Sequence, residues 1–262
     1  MVIRLDSVRL AHGAALVAVC SFALAAAGCE SNGEPDDSTV EAGGGGAGAG
    51  GSNAGGAANT GDGGPEFPEG TGQLATERLP YPEGPFGFHE GSIIENYKLW
   101  GFADSTVDSE SVALIELAMF YNPTGDGVYP AGSPFGEGNA KPKALVINVG
   151  AVWCGPCNQE ADEVLPVEYA NYKPMGGQFL SLLADGPTVG KPATPNNLVN
   201  WAHKYEPSFP LVLDPAYKLG DLFVADAYPQ NMIVDLRTME VVEIVAGVPD
   251  AAFWTKFESV LD

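Results

Sequence analysis

The run Trp153-Cys154-Gly155-Pro156-Cys157 constrains this chain more than any other stretch, because of what flanks it. Before it lies Ala144–Val149 (ALVINV), a short apolar segment that reads as a buried strand. After it, from Pro156 to about Lys173, apolar residues recur at helical spacing, and Pro166 is expected to kink that helix. A thiol at a helix N-terminus faces unpaired backbone N–H groups and the positive end of the helix dipole, both of which stabilise a thiolate. Two intervening residues let the second sulfur reach the first and close a small, easily reversed disulfide. Pro156 suits the first helical turn, where its missing N–H costs nothing. Cys154 is therefore expected to be the exposed, low-pKa thiol and Cys157 the more buried one. Three other readings stand beside redox catalysis. Half of a zinc site would need further soft ligands, and the globular part offers only His89 and His203 beyond the pair. A purely structural disulfide ordinarily links distant segments, since so short a loop gains little entropy. Coincidence is the third.

Around this motif the chain alternates between apolar runs and helical patterns. Gln178–Ala184 reads as a second buried strand, Asn196–Tyr205 as a helix with Thr194 or Pro195 near its start, and Pro210–Leu213 as a brief strand. Ala216–Val224 reads as a short helix. Asn231–Asp235 and Glu240–Ala246 are two strands joined by a turn, and Ala251–Leu261 is a closing helix with Phe253, Trp254, Phe257, Val260 and Leu261 on its apolar face. Strands alternating with helices imply a parallel sheet with crossovers, and the last two strands, a turn apart, must be antiparallel. The expected class is α/β: a central mixed sheet with one antiparallel hairpin, flanked by helices. Upstream, Tyr97–Phe102 reads as an edge strand and Val112–Phe120 as a helix in preference to a buried strand. Pro123–Pro142 is rich in Pro and Gly and reads as a loop.

The N-terminal third is of another kind. Arg4 and Arg9 precede a 14-residue apolar run at 14–27, which spans about 21 Å as a helix and falls short of a bilayer core. A charged start, a short apolar stretch and small residues before a cut describe a signal peptide over 1–28. Residues 42–64 hold 12 Gly and 6 Ala with no aromatic or branched apolar side chain. Nothing there offsets the entropy of ordering the backbone, so 29–79 is expected to be a flexible tether. The globular domain is placed at 80–262, with 80–140 an N-terminal extension and 141–262 the core. The whole chain carries 12 Lys and Arg against 34 Asp and Glu, a net charge of −22. Such a surface repels phosphate backbones and anionic headgroups, which argues against nucleic-acid partners and polybasic membrane docking.

At these residues the chain resembles the thioredoxin superfamily, and within it the membrane-tethered TlpA/ResA-like thiol–disulfide oxidoreductases. The resemblance lies in Asn148-Val-Gly-Ala-Val-Trp-Cys154-Gly-Pro-Cys157-Asn-Gln-Glu160 and in Ala227-Tyr228-Pro229 before the hairpin. Asn148 stands where thioredoxins proper carry a buried Asp, and Glu160 where the tethered relatives carry an active-site Glu. Pro229 falls at the superfamily's cis-proline, which faces the two cysteines and pairs with substrate backbone; the family usually has Thr soon after it, whereas here Gln230-Asn231 follow. The ending Ala26-Ala27-Gly28-Cys29 resembles the bacterial lipobox, with Ala26 where the pattern favours Leu. The resemblance implies a catalytic set of Cys154, Cys157 and Glu160, a redox disulfide between the two cysteines, substrate contacts at Trp153, Tyr228 and Pro229, and lipid attachment at Cys29. No cofactor and no metal are implied.

The function expected from this is disulfide reduction or exchange in other exported proteins through mixed disulfides, by a protein lipid-anchored in the bacterial cell envelope. The Gly-Pro dipeptide is similar to that of thioredoxin itself, a resemblance that implies a reductase, which needs an electron donor such as a membrane thiol-relay protein. Two alternatives change class: a redox-linked metallochaperone or cytochrome-assembly factor, and a surface binding module with a vestigial cysteine pair. Asp185 follows a strand and is expected near the rim of the site, although an Asp-Gly-Pro turn needs no function. His203 is read as a structural surface residue, and Trp201 and Trp254 as core.

Overall fold

A computed structural model describes residues 79–106, 112–217 and 227–262. The expected signal peptide, nearly all of the expected tether, Cys29 and most of the helix expected over 216–224 lie outside these residues. Seven strands form one sheet in the order β2-β1-β5-β4-β3-β6-β7. They are β1 Lys98–Phe102, β2 Ala113–Glu116, β3 Ala144–Ala151, β4 Gly177–Asp185, β5 Leu211–Leu213, β6 Gln230–Asp235 and β7 Glu240–Ala246. β3, β4 and β5 run parallel; on one side β6 pairs antiparallel with β3 and β7 antiparallel with β6, and on the other β1 pairs antiparallel with β5 and β2 antiparallel with β1. Every residue of β3 is buried, as a central strand covered on both faces demands.

The expected helix after the cysteines is one continuous rod of three parts: α1 Gly155–Gln159, a π-type turn Glu160–Val164, and α2 Leu165–Tyr172. The π turn is where Pro166 acts. Its ring cannot donate to the preceding turn, and the wider turn just before it absorbs the mismatch, with the Leu165 N–H reaching back to the Glu160 carbonyl. α3 is Pro195–Tyr205, begun by a capping box in which the Thr194 hydroxyl accepts from the Asn197 N–H while the Asn197 side chain accepts from Thr194. α4 is Ala251–Leu261, capped by Asp250 at its start. At its end, Lys143 and Arg237 donate to the carbonyls of Leu261 and Val260.

The strands β4-β3-β6-β7, of which β6 alone runs opposite to the other three, with helices after β3, β4 and β7, make the thioredoxin-like core. Two upstream expectations are corrected. Val112–Phe120 is not a helix: Ala113–Glu116 is strand β2, and only Leu117–Met119 turns, as a single 3-10 turn. Pairing decides it, because Leu99 and Trp100 of β1 lie opposite Ile115 and Leu114, and Lys98 meets Glu116 across the pair at 2.6 Å. Nor is Tyr97–Phe102 an edge; β2 holds that place, and β1 lies between β2 and β5. Gly101 marks the close approach to β5, since a Cβ there would stand 2.1 Å from the Leu211 carbonyl oxygen.

The candidate redox site

β3 ends in a register shift at Gly150 and Ala151 and turns through Val152 and Trp153 into α1. Cys154 is the N-cap of that helix, with extended backbone, and its Sγ accepts the Cys157 N–H at 3.1 Å. The two sulfurs are joined in a disulfide, S–S 2.04 Å. It rests on the sheet: a Cβ on Gly150 would lie 3.8 Å from the Cys157 sulfur. Asn158 ties the loop down, donating to the carbonyls of Cys154 at 2.7 Å and Val152 at 3.1 Å. Its own carbonyl accepts from Lys204 and the Tyr205 hydroxyl, so α3 braces α1.

The expected difference in exposure is not found. Cys154 is 2% exposed and Cys157 3%. The cover comes from across the sheet end. The Tyr228–Pro229 bond is cis, Pro229 is buried, and Gln230 next to it pairs with Val149 of β3, which brings this corner beside the cysteines. Tyr228 packs on the apolar cluster that contains both sulfurs, and the Trp153 ring stands edge-on to Tyr228 at 5.9 Å between centroids. The structure thus brings Trp153, Cys154, Cys157, Tyr228 and Pro229 to one end of the sheet.

Glu160, one turn after Cys157, points between helix and sheet and is fully buried. A row of polar side chains crosses three strands to meet it: Ser181 of β4 and Asn231 of β6 both lie opposite Asn148 of β3. The Ser181 hydroxyl donates to the Asn148 carbonyl oxygen at 2.9 Å. The Asn148 amide donates to Glu160 at 2.8 Å and to Asn231 at 3.0 Å, and the Asn231 amide donates to the other Glu160 oxygen at 2.9 Å. Among the described residues no buried side-chain nitrogen or oxygen lacks a partner. Burial pushes the Glu160 carboxyl up from 4.5 to about 7, against the opposing pull of the amides of Asn231 and Asn148. The ionisable side chain in this row is Glu160.

Sequence reasoning passed over Ser181 and read Asn231 only as a departure from the family's Thr. For Ser181 the signal was there in outline: a polar residue between Leu180 and Leu182, which a buried strand tolerates only when the group finds a partner, whereas Asn231 stands beside Gln230 at the start of its strand, where no such contrast marks it. It also underread Asp185. That residue is 3% exposed at the end of β4, and its carboxylate accepts the Trp153 indole N–H at 2.9 Å, the Gly190 N–H at 2.9 Å and the Tyr217 hydroxyl. His203 is exposed on α3. Trp201 and Trp254 are 7% and 8% exposed, in the core. Among the described residues no group of three His, Cys, Asp or Glu is placed to hold a metal ion.

A buried disulfide at a helix start, a buried proline after a cis bond beside it and a carboxyl poised near neutrality behind it define a site built for thiol–disulfide exchange on a thioredoxin-like fold. No family model matches this chain, and no curated protein does. Among solved structures the chain is similar to a thiol:disulfide interchange protein of the thioredoxin family from Chlorobium tepidum, with 15% identity over 69% of this chain and 100% of that one, TM-score 0.42. It is similar too to the exposed lipoprotein thioredoxin of Streptococcus pneumoniae, at 19% identity over 63% of this chain and 99% of that one, TM-score 0.42. StoA of Bacillus subtilis matches at 16% over 43% of this chain and 82% of its own, TM-score 0.36. These likenesses are distant; the fold assignment stands on strand order and helix placement.

Proposed function

We propose that this chain is a thiol–disulfide oxidoreductase of the bacterial cell envelope that reduces or exchanges disulfides in exported proteins. The observation that carries the reading is the Cys154–Cys157 disulfide at the helix start, walled by Tyr228 and Pro229 and backed by Glu160. In the reducing direction, the Cys154 thiolate attacks one sulfur of a substrate disulfide. A Cys154–substrate disulfide forms, the substrate S–S bond breaks, and the departing sulfur takes up a proton. The Cys157 thiol then gives its proton to the Glu160 carboxylate and attacks the Cys154 sulfur, which releases the second substrate thiol. Two electrons pass from the cysteine pair to the substrate, and a thiol donor at the membrane restores the dithiol by the reverse exchange. A carboxyl near pH 7 suits that proton transfer, because it both takes and returns the proton at little cost.

Lipid attachment at Cys29, followed by a flexible leash over Glu30 to Pro65, would hold the domain near a membrane surface with a reach of roughly 30–36 Å. Titration with dithiothreitol tests the redox reading: two thiols should appear reversibly, without denaturant, at a defined potential. A disulfide that opens only in denaturant overturns it in favour of a binding module, and a stoichiometric copper or zinc ion on the reduced pair overturns it in favour of a metallochaperone. A Cys157→Ala variant should trap partners as mixed disulfides. Intact mass of the membrane-extracted protein checks the anchor, and Cys29→Ser should move the protein to the soluble fraction.

A further inference from the structure

The second carboxylate at the redox site is not used by this mechanism, yet it is among the most firmly held groups beside the disulfide. Asp185 closes β4, and its carbonyl accepts the Val152 N–H at 3.0 Å, which fixes the turn just before Trp153. Its carboxylate gathers three donors from three separate segments: the Trp153 indole, the backbone of Gly190 and the Tyr217 hydroxyl. Neither salt bridge found among the described residues involves it. A buried carboxylate held only by neutral donors is an expensive way to gain stability, so its value lies in where it places those donors.

Tyr217 shares the burden. Its backbone φ is 52°, the left-handed region that side chains other than Gly, Asn and Asp rarely enter. Burial, then the bond to Asp185, hold its phenol above the ordinary value, so it stays a donor throughout the physiological range. The indole fixed in this way is the one whose ring stands against Tyr228, the residue before Pro229. Trp153 is 38% exposed while Cys154, next to it in the chain and in the cluster on which Tyr228 packs, is 2% exposed. The outer ring is therefore neither free in solvent nor sunk in the core; a hydrogen bond holds it where the attacking sulfur must be approached.

We propose that Asp185 and Tyr217 form a clasp on the Trp153 indole that keeps the approach to Cys154 narrow. Both are positioning residues, and they make the site select a thin, extended disulfide-bearing segment over a bulky one. The inference rests on the redox reading of the site, but the test does not need turnover. The full chain is reduced with a phosphine, or in denaturant followed by refolding if the disulfide resists. Alkylation at the Cys154 peptide is then followed by mass spectrometry with two reagents of one chemistry, N-ethylmaleimide and a maleimide on a long polyethylene glycol chain. In Tyr217→Phe and Asp185→Asn the ratio of bulky to small rate should rise about fivefold, what loss of one hydrogen bond of ordinary strength supports, with the small reagent changed by less than about twofold. Trp153→Phe, which keeps a ring but loses the N–H, should move the ratio the same way. An unchanged ratio in Tyr217→Phe overturns the clasp, as does an equal acceleration of both reagents, which reports general loosening or a changed thiol pKa. Should Asp185→Asn fail to fold, Tyr217→Phe and Trp153→Phe decide alone. A wild-type disulfide that dithiothreitol cannot open defeats the proposed function separately, since the reagent ratio is still read on the refolded dithiol.

Discussion

Glu160 and Asp185 flank the same disulfide, one on the helix behind it and the other at the end of the strand beside it, and the chain surrounds them differently. Glu160 lies between helix and sheet, fully buried, and its partners are two side-chain amides of central strands. Asp185 lies where the sheet ends, and its three partners, Trp153, Gly190 and Tyr217, are themselves at least partly exposed. Groups of one chemistry thus take two roles. In the interior the carboxyl pays desolvation and its protonation moves toward neutrality, which suits proton transfer. At the rim the carboxylate works through geometry, by gathering three separate segments.

Removing the sulfur that both regions serve has the largest effect. Cys154→Ser should lower disulfide exchange to the level of uncatalysed thiol exchange, a fall of at least about a thousandfold if the nucleophile is Cys154. Stopped-flow exchange with a model disulfide checks it; retained activity would move the nucleophile to Cys157.

Next in size is Glu160→Gln, which should keep the fold and slow exchange by about an order of magnitude or more, within the range of general acid–base catalysis. The same variant sharpens the contrast through stability. Because the folded pKa of Glu160, about 7, lies above 4.5, folded and unfolded states are both protonated at low pH, and the contribution is fully present there. As pH rises from 4.5 through 7 the unfolded chain ionises first, so the folded protein loses about 3 kcal/mol, complete above the folded pKa. Urea unfolding of the oxidised protein at pH 4.5 and 8 should show that fall in the wild type and a smaller one in Glu160→Gln. Equal falls would mean that Glu160 ionises as freely as in water.

Deleting one amide from the interior row should cost more than deleting the rim carboxylate. Asn148→Ala strips donors from Glu160 and Asn231 and the acceptor from Ser181, all buried, and should cost roughly 2–3 kcal/mol. Asp185→Ala should cost about 1 kcal/mol, because water can replace the carboxylate at the partly exposed Trp153 and Tyr217. Thermal and urea unfolding of the two variants test the order, and a reversal would place the stabilising network at the rim.

Much of this arrangement is legible one residue at a time. The apolar run before Trp153, the proline in the first helical turn, the Thr194 cap and the aromatic face of α4 are local patterns with local physics, and each element formed where its pattern lies. Tyr228-Pro229, placed by resemblance and not by a local pattern, falls at the sheet end that holds the cysteines. Period and turn chemistry determine the other features because they depend on neighbours within a few residues. Ala113–Glu116 is different. Its composition suits helix and buried strand alike, and the open side of β1 decided between them. The meeting of Ser181, Asn148 and Asn231 depends on register across three strands, and that of Trp153, Gly190 and Tyr217 on where three separate segments converge around Asp185. Cys154 reads as exposed from its place at a helix start, yet the tertiary structure buries it under a corner that arrives 74 residues later in the chain, at Tyr228. The residue types and the local elements belong to the sequence alone. Which polar side chains face one another, and which sulfur is covered, belong to the packing, because those contacts join positions that no local pattern relates.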